Sequence, residues 1–282
     1  MRKDGRRLKH TNPMYTVAAH IMSERSDAMN MIELNIPVVP MQNYLGAKRK
    51  EGKSISHLAL VIAAYVRTVA EFPALNRFIV NKKIYARNEL AIGMVVLKPG
   101  ETDGTMNKMY FDPEDDIFTV NEKINTYIEQ NREVGDTNKT DDIIKTLLGI
   151  PGLLNIGVKL FKLMDRYGWL PRKLIEASPF HVSMTITNLA SIKTNHIYHH
   201  VYNFGTTSMI VSMGNLREVP RRSKGEIVFD RCLPLGVVMD ERIASGSYFA
   251  KAFITMKNYL ADPTLLEGAP RVCIREWEDK TI

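Results

Sequence analysis

The chain has 282 residues, 45% apolar and 24% charged, with a net charge of +7. That length can bury a full core, as one large domain or two small ones, and the composition is that of a globular protein in water. No run approaches the roughly 18 apolar residues of a bilayer-spanning helix, and the basic N-terminus lacks the apolar core of a secretion signal. Two cysteines, Cys232 and Cys273, exclude a disulfide framework and point to a reducing cytoplasm.

The positive charge suits an anionic partner. It gathers at Arg2, Lys3, Arg6, Arg7 and Lys9, and again at Arg217, Arg221, Arg222 and Lys224. Neither group interleaves aromatic residues with basic ones, and no zinc-finger, helix-turn-helix or RNA-binding signature is present. Solvated tail and loop charge is therefore favoured over a nucleic-acid surface. A phosphate-bearing small molecule such as coenzyme A is served equally well by loose positive charge.

Residues 1–28 read as a basic arm and an irregular lead-in, with one domain over 29–282. Met29–Ile36 alternates like a half-buried strand, ended by Pro37 and Pro40, and a helix follows to about Lys50. Ser56 caps the next helix, apolar on nearly every side and therefore deep in the core, which Phe72-Pro73 stops. Phe78–Val80 and Lys83–Tyr85 form a hairpin about Asn81-Lys82, and Leu90–Leu97 is a buried strand. A turn-rich loop over 99–104, a strand over 106–111 and a helix after Asp115-Asp116 come next, then a polar stretch over 132–140.

Residues 141–180 are an insert of two helical patches, around 143–148 and 153–164, broken at Pro151-Gly152, with a short third helix. Lys159, Lys162, Arg166, Arg172 and Lys173 line its polar positions. Such a basic amphipathic helix can make peripheral contact with a membrane surface. A helical hairpin packed on its own core is the favoured reading. Strands at 182–187, 208–213, 226–229 and 233–239 precede a last helix whose Phe249, Phe253, Met256 and Leu260 share one face.

Three blocks carry a family resemblance. They are Glu71-Phe72-Pro73-Ala74-Leu75-Asn76 with the strand Ala91–Val96; Thr185-Ile186-Thr187-Asn188-Leu189-Ala190; and Asp240-Glu241-Arg242-Ile243-Ala244-Ser245-Gly246 with the helix behind it. In this order they resemble the catalytic domain of the dihydrolipoyl acyltransferases of 2-oxoacid dehydrogenase complexes, relatives of chloramphenicol acetyltransferase. The resemblance implies an α/β fold, a mixed sheet flanked by helices, here with an inserted helical hairpin. It also implies a homotrimer with sites between subunits, and coenzyme A or acyl-CoA as co-substrate without a metal.

In that family the third block reads Asp-His-Arg-x-x-Asp-Gly, and its histidine deprotonates the nucleophile that attacks a thioester. A Ser or Thr from the neighbouring subunit holds the oxyanion. Carried over, Thr187 falls on the oxyanion donor, Glu241 on the base and Ser245 on the second aspartate. A carboxylate in a dry cleft can act as a base, so Glu241 is either a substitute base or the mark of a silent descendant serving as an acyl-CoA-binding scaffold. Loss or strong reduction of family activity is the favoured reading of the two.

Asn188, His199, His200, Ser245 and Gly246 are the candidates to line the substrate channel. The cluster His196, His199 and His200 offers a relocated base or a metal site, although no Cys, Asp or Glu stands close by in sequence to complete a tetrahedral set. Phosphate-loop, dinucleotide and nucleophile-elbow motifs are absent, as is a lipoyl-domain hairpin. The expectation is a stand-alone acyltransferase-family protein with an unidentified acceptor.

Overall fold

The structure is a computed structural model that describes residues 2–9, 11–97, 104–132 and 153–278. The polar stretch over 132–140 falls outside these residues almost entirely. The first helical patch of the insert and its Pro151-Gly152 break also lie outside them, as does nearly all of the loop over 99–104.

The strands are β1 (Gly5–Arg7), β2 (Met29–Pro37), β3 (Arg77–Val80), β4 (Lys83–Arg87), β5 (Leu90–Leu97), β6 (Gly104–Phe111), β7 (Met184–Asn188), β8 (Met209–Met213), β9 (Arg217–Ser223) and β10 (Glu226–Asp240). The helices are α1 (Pro13–Ile21), α2 (Val38–Lys50), α3 (His57–Glu71), α4 (Ile117–Arg132), α5 (Leu153–Tyr167), α6 (Arg172–Ala177) and α7 (Gly246–Ala261). The main sheet runs β2-β10-β8-β7-β5-β6, with β9 folded back on β10, and a small sheet runs β1-β4-β3. β7 is parallel to both β5 and β8, whereas β10 is antiparallel to β8 and β2. The sheet is therefore mixed, as the resemblance implied.

Successive residues of a strand face opposite sides, and the register sorts them into rows. Ile186, Val211, Val237 and Ile32 stand side by side and face the helices. Together with α3 and α7 they form the main core. Every residue of α3 from Leu58 to Ala70 is buried, and Ser56 Oγ caps the helix by accepting from the Ala59 amide at 3.0 Å. The next row, Thr187, Ser212, Gly236 and Glu33, faces the other way. Among the described residues this second face has a small apolar cluster, Ile210, Val238 and Val201, with Met29 against it.

Three sequence readings are corrected. Residues 1–28 are not an irregular lead-in: β1 pairs with β4, and α1 starts with Asn12 accepting from the Met14 amide and proline at the first position. That cap-plus-proline signal stood in the sequence. The separate strands at 226–229 and 233–239 are one strand of 15 residues, because Asp230 and Arg231 project from a twisted ribbon without ending it. Arg217–Ser223 is also a strand, its charges exposed on both faces of that ribbon. The Asn81-Lys82 turn has positive φ at both residues, 49° and 61°, as a two-residue hairpin turn demands.

Candidate active site

Thr187 is the penultimate residue of β7, half-buried, and its hydroxyl has no hydrogen bond among the described residues. The next residue turns to the core side, and its side-chain oxygen, Asn188 Oδ1, is buried without a partner there. The chain then leaves through a short 3-10 turn, where Ser191 donates to the Asn188 carbonyl at 2.6 Å. A free hydroxyl at a strand end can hold a developing negative charge.

The Asp240–Gly246 loop is pinned at its start by Asp240 and Arg242. Asp240 is fully buried and takes two bonds from the Arg242 guanidinium, at 2.8 and 2.7 Å, and one from the Arg242 amide at 3.1 Å, while Arg242 also donates to the Met22 carbonyl at 2.8 Å. Arg25 lies 3.9 Å from the same carboxylate and donates to the carbonyls of Tyr202 and Gly205. Burial pushes the Arg25 guanidinium down to about 10 despite the Asp240 charge. This knot ties the loop to the lead-in and to the segment after the histidines.

Glu241 is half-buried beside it. Its amide donates to the Ala28 carbonyl at 2.9 Å, and its carboxylate accepts from Asn30 Nδ2. Ser245 caps α7 by accepting from the Tyr248 amide at 3.3 Å, and its own amide donates to the Tyr15 hydroxyl. Gly246 opens the helix with free space around its Cα.

The structure separates the histidines. His196 lies across the second face of the sheet, where a Cβ on Gly236 would meet the Ile197 carbonyl at 2.4 Å. Ser212 Oγ accepts from the Ile197 amide and donates to its carbonyl. His196 Nε2 sits 3.2 Å from Glu33, which also takes Arg217 and Asn35, and His196 Nδ1 is buried without a partner. His199 and His200 stack on one another at 4.8 Å, with Tyr202 edge-on to His200 at 5.0 Å. Among the described residues no group of three or more His, Cys, Asp or Glu is placed to hold a metal ion.

One chain keeps Thr187 and Glu241 apart. Thr187 stands level with Gly236 across β8, and Glu241 follows the end of β10 beyond Asp240. Four strand steps alone amount to about 13 Å. Glu33 is level with Thr187 and carries His196 with it. Sequence reading singled out neither Glu33 nor Arg25, since a lone charged residue in a strand or lead-in carries no motif.

Sheet order, flanking helices and the placement of the third block define a chloramphenicol acetyltransferase-like fold. Residues 174–267 match the family model described as 2-oxoacid dehydrogenases acyltransferase (catalytic domain). The solved structures agree along nearly the whole chain. A probable dihydrolipoamide acetyltransferase from Listeria monocytogenes superposes with a TM-score of 0.57 at 16% identity, covering 90% of this chain and 94% of that one. The dihydrolipoamide acetyltransferase of Azotobacter vinelandii gives 0.57 at 14%, over 92% and 93%. A chloramphenicol acetyltransferase gives 0.56 at 9%, over 91% and 99%. No curated protein matches the chain by sequence. The family resemblance and its fold are thus both found. The Glu71–Val96 block lies outside the family match and is supported by the fold.

Proposed function

We propose that this protein is an acyltransferase that moves an acyl group from a coenzyme A thioester to a nucleophilic acceptor, at sites built between copies of the chain. The observation that carries this reading is the free, half-buried Thr187 hydroxyl on the acyltransferase sheet, too far from Glu241 to share a site within one chain. A homotrimer of the family kind brings the Thr187 end of one copy to the Glu241 end of the next.

The chemistry then follows from the residues. A base removes the acceptor proton, the acceptor attacks the thioester carbonyl, and the Thr187 hydroxyl donates to the tetrahedral oxyanion. Collapse releases the coenzyme A thiolate, which takes up the proton. Glu241 fits the base because Asn30 and the Asp240–Arg242 knot orient it at the family position. Asn188, His199, His200, Ser245 and Gly246 are proposed as the channel lining.

A second base is favoured by one specific contact: Glu33 holds His196 Nε2, the carboxylate–imidazole pairing that fixes a tautomer and leaves the other nitrogen free to accept. The silent-scaffold reading is favoured by Ser245, which caps α7 where the family has a carboxylate.

Thiol release from a panel of acyl-CoA donors with mixed acceptors decides among these. Turnover should fall about 100-fold in Thr187→Ala and comparably in Glu241→Gln. Loss in His196→Gln with Glu241→Gln unaffected would move the base to His196. Binding of acyl-CoA without turnover for any pair would leave the scaffold.

A further inference from the structure

The insert helix α5 carries two apolar faces, not one. Its inner face holds Phe161, which packs on Phe204 at 5.3 Å, and Asp165, which is buried and paired with Arg2 at 2.8 Å. Gly168, at φ +73°, closes the helix and lies against Arg2. The helix is thereby fixed to the body through the N-terminal strand.

The outer face holds Ile156, Leu160, Leu163 and Tyr167 at i, i+4, i+7 and i+11, one stripe along a helix. Trp169 extends it, stacked on Tyr167 at 5.1 Å. These five residues are 47% to 65% exposed. The expectation of a hairpin on its own core falls partly outside the described residues, since its first helical patch lies there.

Beside the stripe run Lys159, Lys162 and Arg166, all exposed. Asp165, the only acid of α5, points inward to Arg2. Lys162 and Arg166 also line a cleft of about 490 Å³ that Lys82 closes from the opposite hairpin. The outward surface of α5 is therefore apolar on one side and cationic on the other, with an aromatic pair at its C-terminal end.

We infer that α5 is an interfacial helix that docks the protein on an anionic lipid surface. The stripe enters the acyl boundary, Tyr167 and Trp169 sit at headgroup level, and the cationic flank meets lipid phosphates. A second copy of the chain fits less well. An isologous contact through this face would set the single-sign flank against itself, and lysines are depleted from the cores of protein interfaces.

The test is co-sedimentation of the full chain with vesicles of phosphatidylglycerol and phosphatidylcholine, against phosphatidylcholine alone, in physiological salt. Binding to the anionic vesicles is expected, with a blue shift in emission that Trp169→Phe removes. Leu160→Glu, at a side chain free of the core, should weaken partition at least about tenfold. Lys162→Glu with Arg166→Glu should weaken it on anionic vesicles only. Circular dichroism and thermal melting confirm that each variant folds. No vesicle binding, or binding that Leu160→Glu leaves unchanged, overturns the inference. So does a Leu160→Glu variant that changes the mass of the assembly instead, because the stripe is then a contact between copies.

Discussion

The two faces of the main sheet differ in how they are covered. The first is sealed by α3 and α7, whose buried side chains merge with Ile186, Val211, Val237 and Leu235 in a single core. The second has a polar row, Thr187, Ser212 and Glu33, and is crossed by the extended segment from His196 to Val201. The first face makes the fold stable through apolar area. The second is held by particular hydrogen bonds and ion pairs, and among the described residues it keeps a free hydroxyl and an unpartnered imidazole nitrogen. A protein can change chemistry on the second face without endangering the first.

The largest expected effect lies where the two faces join, at the base of the Asp240 loop. Asp240→Ala removes the carboxylate between Arg242 and Arg25, both nearly fully buried, and leaves two charges uncompensated. Breaking such a buried pair costs about 3–5 kcal/mol, read as a shift of the urea midpoint at constant slope. A loss below about 1 kcal/mol would mean that water reaches the arginines and the loop is looser than its bonds imply. On the sealed face, Ile62→Ala empties a fully buried site in α3 and should cost about 3 kcal/mol by the same measurement. Its counterpart on the polar row is Ser212→Ala, which removes both bonds to Ile197 and should cost about 1 kcal/mol. Equal losses at the two sites would erase the contrast.

The sealed face was legible in the sequence because its signal is periodic. The α3 helix, apolar on nearly every side, and the stripe of Phe249, Phe253, Met256 and Leu260 declare burial through spacing alone, and the Leu90–Leu97 run does so except at the exposed Val95 and Leu97. The polar row was only half legible. Thr187 and Glu241 stood out through a family pattern, but their separation within one chain follows from β10 running antiparallel to β8, a fact of pairing and not of composition. The pairing of His196 with Glu33, 163 positions apart, and of Arg2 with Asp165 had no local signal. The outward stripe of α5 shows the same limit: periodicity shows that a face is apolar, not what covers it.

Acid sharpens the difference between polar and apolar cohesion. Burial opposes the charge on Asp165, but bonding to His181 and Arg2 outweighs it and holds the carboxyl at about 2. Its folded value is depressed, so its stabilising effect is present above its ordinary value near 4 and is lost as pH falls toward 2. Unfolding free energy should drop by about 2 kcal/mol across that window. Asp165→Asn should flatten the drop, and α5 should become the protease-sensitive segment first. A variant with the wild-type pH slope would show that Arg2 and His181 do not grip Asp165 in solution.

The smallest expected change in stability is at Thr187 itself. Its hydroxyl is half-buried and has no partner among the described residues, so Thr187→Val removes no internal bond and keeps a β-branched side chain in a strand. Stability should stay within about 0.5 kcal/mol of the parent, while on the proposed mechanism turnover falls about 100-fold. The contrast with Ser212, one strand away in the same row, makes the measurement informative, because that hydroxyl is committed to holding His196–Val201 in place. If Thr187→Val also cost a kilocalorie or more, its hydroxyl would have a structural partner, in this chain or in a neighbouring copy. The reason to call it an oxyanion donor would then be gone. Mixing Thr187→Val with Glu241→Gln chains separates the remaining cases. Sites shared between copies regain activity in the mixture, since one site in a mixed assembly draws both intact residues. Sites contained within one chain stay dead at every ratio.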